Sequence, residues 1–229
     1  MRYHALATDY DGTLARDGHV DDETTAALER LRASGRRLVV VTGRRAGDLL
    51  ASFPRADLCD RIVAENGATL YRPETHDEVL LAAPADERLV AALQEDQVEP
   101  LSVGRVVVAT DERHLVGALH VAGELRLDVA AHLNRGAAML LPVGVDKGTG
   151  LLAALDDLGV GVADTVGVGD AENDGAFLRL CGLSAAVANA LPELSERVDV
   201  VARSPYGAGV REIVEAMLGD YLAEVAQQS

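Results

Sequence analysis

The chain has 229 residues, enough for one substantial core or for one core with a small appended unit. Its formal charge of −16 argues against nucleic acid or an anionic membrane as the main partner, and a hydrophobic content of 48% argues against disorder. Aromatic residues are only 3%, so the core has to be built from Val, Leu and Ala, which suits buried parallel strands flanked by helices.

From the N-terminus, the run from Tyr3 to Tyr10 predicts a buried strand ending in Asp9-Tyr10-Asp11-Gly12-Thr13. Asp21 and Asp22 can cap a following helix that carries Leu28 and Leu31 on one face and stops at Gly35. Arg37 to Val41 reads as a second buried strand, ending at Thr42-Gly43, with a short helix around Asp48 to Phe53 after it. The segments at 61–64 and 68–71 read as a hairpin turned at Glu65-Asn66-Gly67.

The pattern then changes. Between about Thr75 and Val145, strands are expected near Val79, Val106, Leu125 and Met139, with helices near 88–94 and 112–121. After Asp146-Lys147-Gly148 the strand–helix alternation returns: a helix near 149–158, a strand ending at Gly169-Asp170, a helix near 176–180, strands near 183–187 and 200–202, and a helix from about Val210. Alternation at both ends implies an α/β fold with a doubly wound parallel sheet, formed by residues 1–75 and 145–229. Residues 76–144 read as a small α/β unit inserted into it.

Cys59 and Cys181 are the only cysteines and lack CxxC spacing, which points to a reducing compartment and no zinc site. With no apolar leader at the N-terminus and no apolar run approaching the roughly 20 residues that span a bilayer, the expected location is the cytoplasm.

In a doubly wound sheet, ligands bind beyond the carboxyl ends of the strands, and four stretches of this chain put polar residues there. Asp9 and Asp11, two apart on an extended segment, point the same way and repel, so they need a cation or a shared proton. Asp170 and Asp174 add negative charge. A carboxylate cluster without His or Cys suits a hard cation, and Mg²⁺ fits best because it accepts few protein ligands alongside water and phosphate. A calcium-binding loop starting at Asp9 fails, because the places that need Gly and Glu hold Leu14 and Val20. A plain turn after a strand remains open for the Asp9–Asp11 pair taken alone. Lys147, the only lysine, stands beside Gly148 at the start of a helix and would supply a point charge opposite the carboxylates. Thr42 and Gly43 offer a hydroxyl and an unobstructed N–H to phosphate oxygens.

Taken together, Asp9-Tyr10-Asp11-Gly12-Thr13-Leu14, Thr42-Gly43-Arg44, Lys147 and Gly169-Asp170-Ala171-Glu172-Asn173-Asp174 resemble, in order, the four motifs of the haloacid dehalogenase superfamily. The insertion after the second motif, Glu65-Asn66-Gly67 and Val187-Ala188-Asn189-Ala190 resemble its Cof-like branch (subfamily IIB, with a C2-type cap), which includes archaeal-type phosphoglycolate and sugar-phosphate phosphatases. The resemblance implies Asp9 as nucleophile and metal ligand. It implies Asp11 as general acid and base, binding the metal through its carbonyl. Thr42, Gly43 and Lys147 would hold the phosphoryl group, with Asn173 as a supporting phosphate contact. Asp170 would be a direct Mg²⁺ ligand and Asp174 a direct or water-mediated one. The implied activity is hydrolysis of a small phosphorylated metabolite through a phospho-aspartate, by a monomer or small homo-oligomer. A sugar phosphomutase and a binding or regulatory domain without turnover are the alternatives. His114 and His120 have a spacing that suits no shared metal, Arg44 and Arg45 read as a solvated face, and Asp156-Asp157 as helix surface.

Overall fold

The computed structural model describes residues 2–219 and 222. The N-terminal half lays down β1 (Ala5–Thr8), α1 (Asp22–Ala33), β2 (Arg37–Val41), α2 (Ala46–Ser52), β3 (Arg61–Ala64), β4 (Thr69–Arg72) and β5 (Asp77–Leu80). Asp21 caps α1 by accepting from the Thr24 N–H at 2.7 Å. The insertion follows with α3 (Glu87–Glu95), β6 (Leu101–Val103), β7 (Val108–Asp111), α4 (Leu115–Glu124), β8 (Val129–Asn134) and β9 (Ala137–Pro142). The C-terminal part adds α5 (Lys147–Leu158), β10 (Thr165–Gly169), α6 (Gly175–Leu178), β11 (Leu183–Ala186), α7 (Pro192–Ser195), β12 (Val200–Val201) and α8 (Tyr206–Leu218).

The main sheet has the order β12-β11-β10-β1-β2-β3-β4-β5, parallel from β12 to β3 and antiparallel at β4 and β5. Its central strands are buried on both faces, which is why they read as unbroken apolar runs. Leu6, Leu38 and Val40 enter the layer that α1 and α8 cover, whereas Ala5, Ala7, Val39 and Val41 enter the layer that α5 and α6 cover. Chain order reverses on either side of β1, flanked by β2 and β10, so the crevice beyond the carboxyl ends of β1 and β10 is the switch point where such sheets bind ligands.

The insertion forms a four-stranded antiparallel sheet, β6-β7-β9-β8. Leu89, Leu93, Val108, Ala118, Ala122 and Leu140 pack between this sheet and its two helices. The opposite face presents Met139 and Leu141, which join Val106, Val107 and Ala68 in a second cluster against the main body.

The middle of the chain departs from expectation in three places. The strand near Val79, assigned from sequence to the insertion, hydrogen-bonds to β4 and extends the main sheet. A strand is expected near Leu125 from the sequence, but that residue lies at the end of a helix. It closes α4, its N–H donating to the Val121 carbonyl, and the strand begins at Val129. The edge strand β6 has three half-exposed or exposed residues and no periodic signature.

Candidate active site

The end of β1 delivers Asp9, whose N–H donates to the Val168 carbonyl of β10 at 2.9 Å and whose side chain is buried. The next turn passes close under β10. Gly12 has φ +86°, and a Cβ there would stand 2.4 Å from Asp170 Oδ2, so only glycine fits. Thr13 Oγ1 donates to Asp170 Oδ1 at 2.6 Å. Asp174, on the turn after β10, accepts the N–H groups of Asp170 and Ala171 at 2.8 and 2.9 Å through one oxygen.

The other Asp174 oxygen accepts from Lys147 Nζ at 2.7 Å, and the same ammonium donates to Asp9 Oδ1. Lys147 opens α5 immediately after its N-cap Asp146, which forms a reciprocal capping box with Thr149, and its side chain is fully buried. Burial alone would lower the Lys147 pKa, but Asp174 and Asp9 outweigh it and hold the ammonium above its ordinary value. Burial pushes the Asp9 carboxyl well above its usual range; Lys147 pulls it back, and Asp174 and Asp170 push it further up. Asp170 is raised by burial and by Asp174, against the opposing hydrogen bonds from Thr13 and Arg135.

One oxygen from each of Asp9, Asp170 and Asp174 lies within 4.8 Å of the others. Among the described residues this is the one such acidic group, and it is oxygen-only. Its three carboxylates face one ammonium, Lys147, and one guanidinium, Arg135, which leaves one negative charge uncompensated. A hard divalent cation satisfies both the donor type and the deficit, and the residues therefore fit Mg²⁺.

The remaining expected residues divide into those that join this cluster and those that stand apart. Thr42 is buried, and its Oγ1 accepts from the Arg44 N–H at 3.1 Å. Gly43 faces the insertion: Met139 Sδ lies 3.4 Å from where a Cβ on Gly43 would stand. Asn173 is buried and donates through Nδ2 to Asn66 Oδ1 at 2.9 Å, while Asn173 Oδ1 and Asn66 Nδ2 find no protein partner. Asp11 is not drawn into the cluster. Its side chain is 42% exposed and takes a two-pronged grip from Arg44, Nε to Oδ2 and Nη2 to Oδ1, both 2.6 Å. Arg44, expected on a solvated face, is thus the partner of Asp11, and it also lies over the Tyr10 ring at 5.2 Å. Arg45 does stay at the surface, paired with Asp48. His114 sits against the Glu99 carbonyl and exposed His120 beside Glu124, both remote from the carboxylates.

Several site residues carried no role from the sequence. Thr13 anchors Asp170. Asn189 ties three segments together, donating to the Gly12 carbonyl at 2.7 Å and accepting from the Tyr206 N–H at 2.8 Å. Glu65, fully buried, accepts three N–H groups of the insertion, from Arg105, Val106 and Val107 at 2.8, 2.8 and 3.0 Å. Arg135 reaches from the β8–β9 turn to Asp170 Oδ2, with Nε at 3.0 Å and Nη2 at 2.5 Å. The signal for Glu65 and Asn189 lay in the short motifs quoted above, which marked a turn and a loop but not their contacts.

A family profile described as haloacid dehalogenase-like hydrolase matches residues 6–116 and 118–214. The chain is 30% identical over 225 residues to the phosphoglycolate phosphatase of Methanothermobacter thermautotrophicus, covering 94% of this chain and 99% of that one. It is 33% identical over 219 residues to the phosphoglycolate phosphatase of Haloarcula marismortui, covering 91% and 95%. Among solved structures, a haloacid dehalogenase-like hydrolase from Bacteroides thetaiotaomicron superposes with a TM-score of 0.77 at 18% identity over 94% of this chain and 99% of that one. A subclass IIB sugar phosphatase gives 0.77 at 19% over 95% and 99%. At these identities the structural likeness speaks for the fold.

Proposed function

Because the chain belongs to the haloacid dehalogenase-like hydrolase family, we propose that it is a Mg²⁺-dependent phosphomonoesterase that acts on a small phosphorylated metabolite with Asp9 as its nucleophile. The observation that carries this reading is the burial of Asp9 at the point where Lys147 Nζ and the carboxylates of Asp170 and Asp174 converge. Asp9, Asp170, Asp174 and the Asp11 carbonyl would hold the cation, which when bound neutralises charge on the phosphoryl oxygens.

An Asp9 carboxylate oxygen attacks phosphorus in line, the P–O bond to the leaving alcohol breaks, and an acyl phosphate forms on Asp9. The departing alkoxide takes a proton from Asp11. Water then attacks the phosphorus, Asp11 takes a proton back, inorganic phosphate leaves and the Asp9 carboxylate is restored. Lys147 stays opposite the transferring group throughout, where its fixed charge favours the transition state. Thr42, Gly43 and Asn173 would bind phosphate oxygens; the unpartnered Nδ2 of Asn66 is a donor free for the same purpose, whereas Asn173 has first to release its own Nδ2 from Asn66 Oδ1. Asp11 has to exchange its Arg44 contacts for the leaving-group oxygen, so its grip by Arg44 is read as a resting position.

The insertion, taken as the cap, would roof this site through Met139 over Gly43 and Arg135 on Asp170. Phosphoglycolate, the substrate in the names of the curated relatives, is the first compound to try. The test is phosphate release from a panel of phosphomonoesters, with Mg²⁺ and with chelator. Turnover that requires the metal is expected, and turnover undiminished by exhaustive chelation would overturn the metal assignment.

A further inference from the structure

Arg135 occupies a backbone position that arginine does not favour. It has φ +46° and is followed by Gly136 at φ +87°, so the β8–β9 hairpin turns through two left-handed residues. Asn, Asp or Gly is the usual choice at the first of these. The turn nevertheless carries a long cationic side chain, and its guanidinium lies on Asp170. The tip is fixed further by the Arg135 N–H donating to Glu172 Oε2 and by Nη2 donating to the Asn189 carbonyl, both at 3.3 Å. Among the described residues, Arg135 is the one cation of the insertion that touches the carboxylate cluster.

Its present partner, Asp170, is one of the three carboxylates that would hold the cation. With Asp170 committed to a cation, the guanidinium stands beside a like charge, in need of another anion. Lys147 is engaged with Asp9 and Asp174 and is read above as the phosphoryl-binding cation, so the anion left for Arg135 belongs to the substrate's other end. The same face of β8 carries His132, paired across the ladder with Met139, and its buried Nε2 has no protein partner. An arginine fork, an unpartnered imidazole nitrogen and a lid floor of small residues, Ala130 and Ala137, suit a short leaving group ending in a carboxylate.

Resting on the phosphatase reading, we propose that Arg135 is the specificity-determining residue of this enzyme, forking the carboxylate at the leaving-group end of the substrate. Neutral phosphate esters of equal size would leave the fork unpaired and bind less well.

Binding can be measured without turnover, by titration calorimetry in Mg²⁺ with two phosphonates of equal length, 3-phosphonopropionate and propylphosphonate. The parent protein is expected to prefer the carboxylate-bearing compound by roughly 10- to 100-fold, the worth of a charge-assisted pair. Arg135→Gln should erase most of that ratio. Arg135→Lys, which keeps the charge without the fork, should fall between and covers the case in which the glutamine variant fails to fold. The kcat/KM ratio of phosphoglycolate to ethyl phosphate should move in parallel. An undiminished ratio in both variants overturns the assignment, as does a parent protein that does not discriminate. Tighter Mg²⁺ binding in Arg135→Gln with the ratio intact also overturns it, and leaves Arg135 as a counterion of Asp170. If no phosphonate binds and no monoester is hydrolysed by the parent, the phosphatase reading itself falls and takes this one with it.

Discussion

Lys147 is the residue on which the site's charge balance turns. It is the only ammonium side chain in the protein, and it is buried between Asp9 and Asp174. Lys147→Met would leave those two buried carboxylates facing each other, and removing one partner of such a pair costs about 3–5 kcal/mol. We expect the urea midpoint of the metal-free variant to drop accordingly and to recover in part on adding Mg²⁺; an unchanged midpoint would show that the pair carries no stability. Activity should fall by at least about a hundredfold, as when a main transition-state donor is lost. Asp11 makes a separate expectation. If it protonates the leaving oxygen, Asp11→Asn should slow alkyl esters by about a hundredfold or more while sparing activated aryl esters, in single-turnover release of the alcohol. Equal losses would remove the acid role. Asp9, Asp170 and Lys147 were legible because each ends a patterned strand or opens a patterned helix, and Asp174 because it follows Asp170 within one short motif. The Arg44 fork on Asp11 was not, because it joins side chains 33 residues apart on two irregular loops and leaves no trace in periodicity. Arg135 was illegible for a related reason: a lone arginine in a hairpin turn looks like any solvated turn residue until the turn is seen to point inward.

At the level of elements, two connections decide how the parts stay together. The first is the Glu65 carboxylate under the insertion. Gly104 lies so close that a Cβ there would meet Glu65 Oε2 at 2.5 Å, and the three N–H groups that follow converge on the same carboxylate. Glu65→Ala strands those donors, at about 1–3 kcal/mol for each one left unsatisfied. Amide exchange at Arg105, Val106 and Val107 should accelerate sharply while the central strands stay protected, and unchanged exchange there would contradict the anchoring role. The second connection is Asp157 on α5, which pairs with Arg61 of β3 and Arg72 of β4. The sequence placed it on a helix surface; it is indeed partly exposed, but the hydrogen bonds from Arg72 and Arg61 hold its carboxyl below the ordinary range. A depressed folded pKa contributes stability above the unfolded value, which is lost as pH falls through the folded one. Solvent screens the network, so Asp157→Asn should cost only about 0.5–1 kcal/mol at neutral pH. That difference between parent and variant should narrow below about pH 4, the ordinary carboxyl range. Urea midpoints at the two pH values check both the size and the sign. The central strands were readable because burial on both faces writes unbroken apolar runs such as Leu38 to Val41. The edges were less so: a strand was legible near Val79 but not its place beside β4, and β6 buries too little to leave a pattern.

For the whole molecule, a net charge of −16 surrounds a site meant for an anionic ester. The fold resolves this locally, by bringing Lys147 and Arg135 to three carboxylates from two separate stretches of chain at the switch point of the sheet. The overall architecture could be anticipated because the strand–helix alternation at both ends of the chain admits few other packings. How the insertion meets the core could not, since that depends on shape and on single contacts such as Met139 over Gly43. The account turns on a phosphoryl group passing through Asp9, and that step can be trapped. The protein, turning over a phosphomonoester with Mg²⁺, is quenched in acid and treated with borohydride, which reduces an acyl phosphate to the alcohol, and the peptides are mapped by mass. Homoserine at position 9, dependent on substrate and absent from Asp9→Asn, is the expected result. Continued phosphate release with no modification at position 9, or modification at another carboxylate, would contradict it.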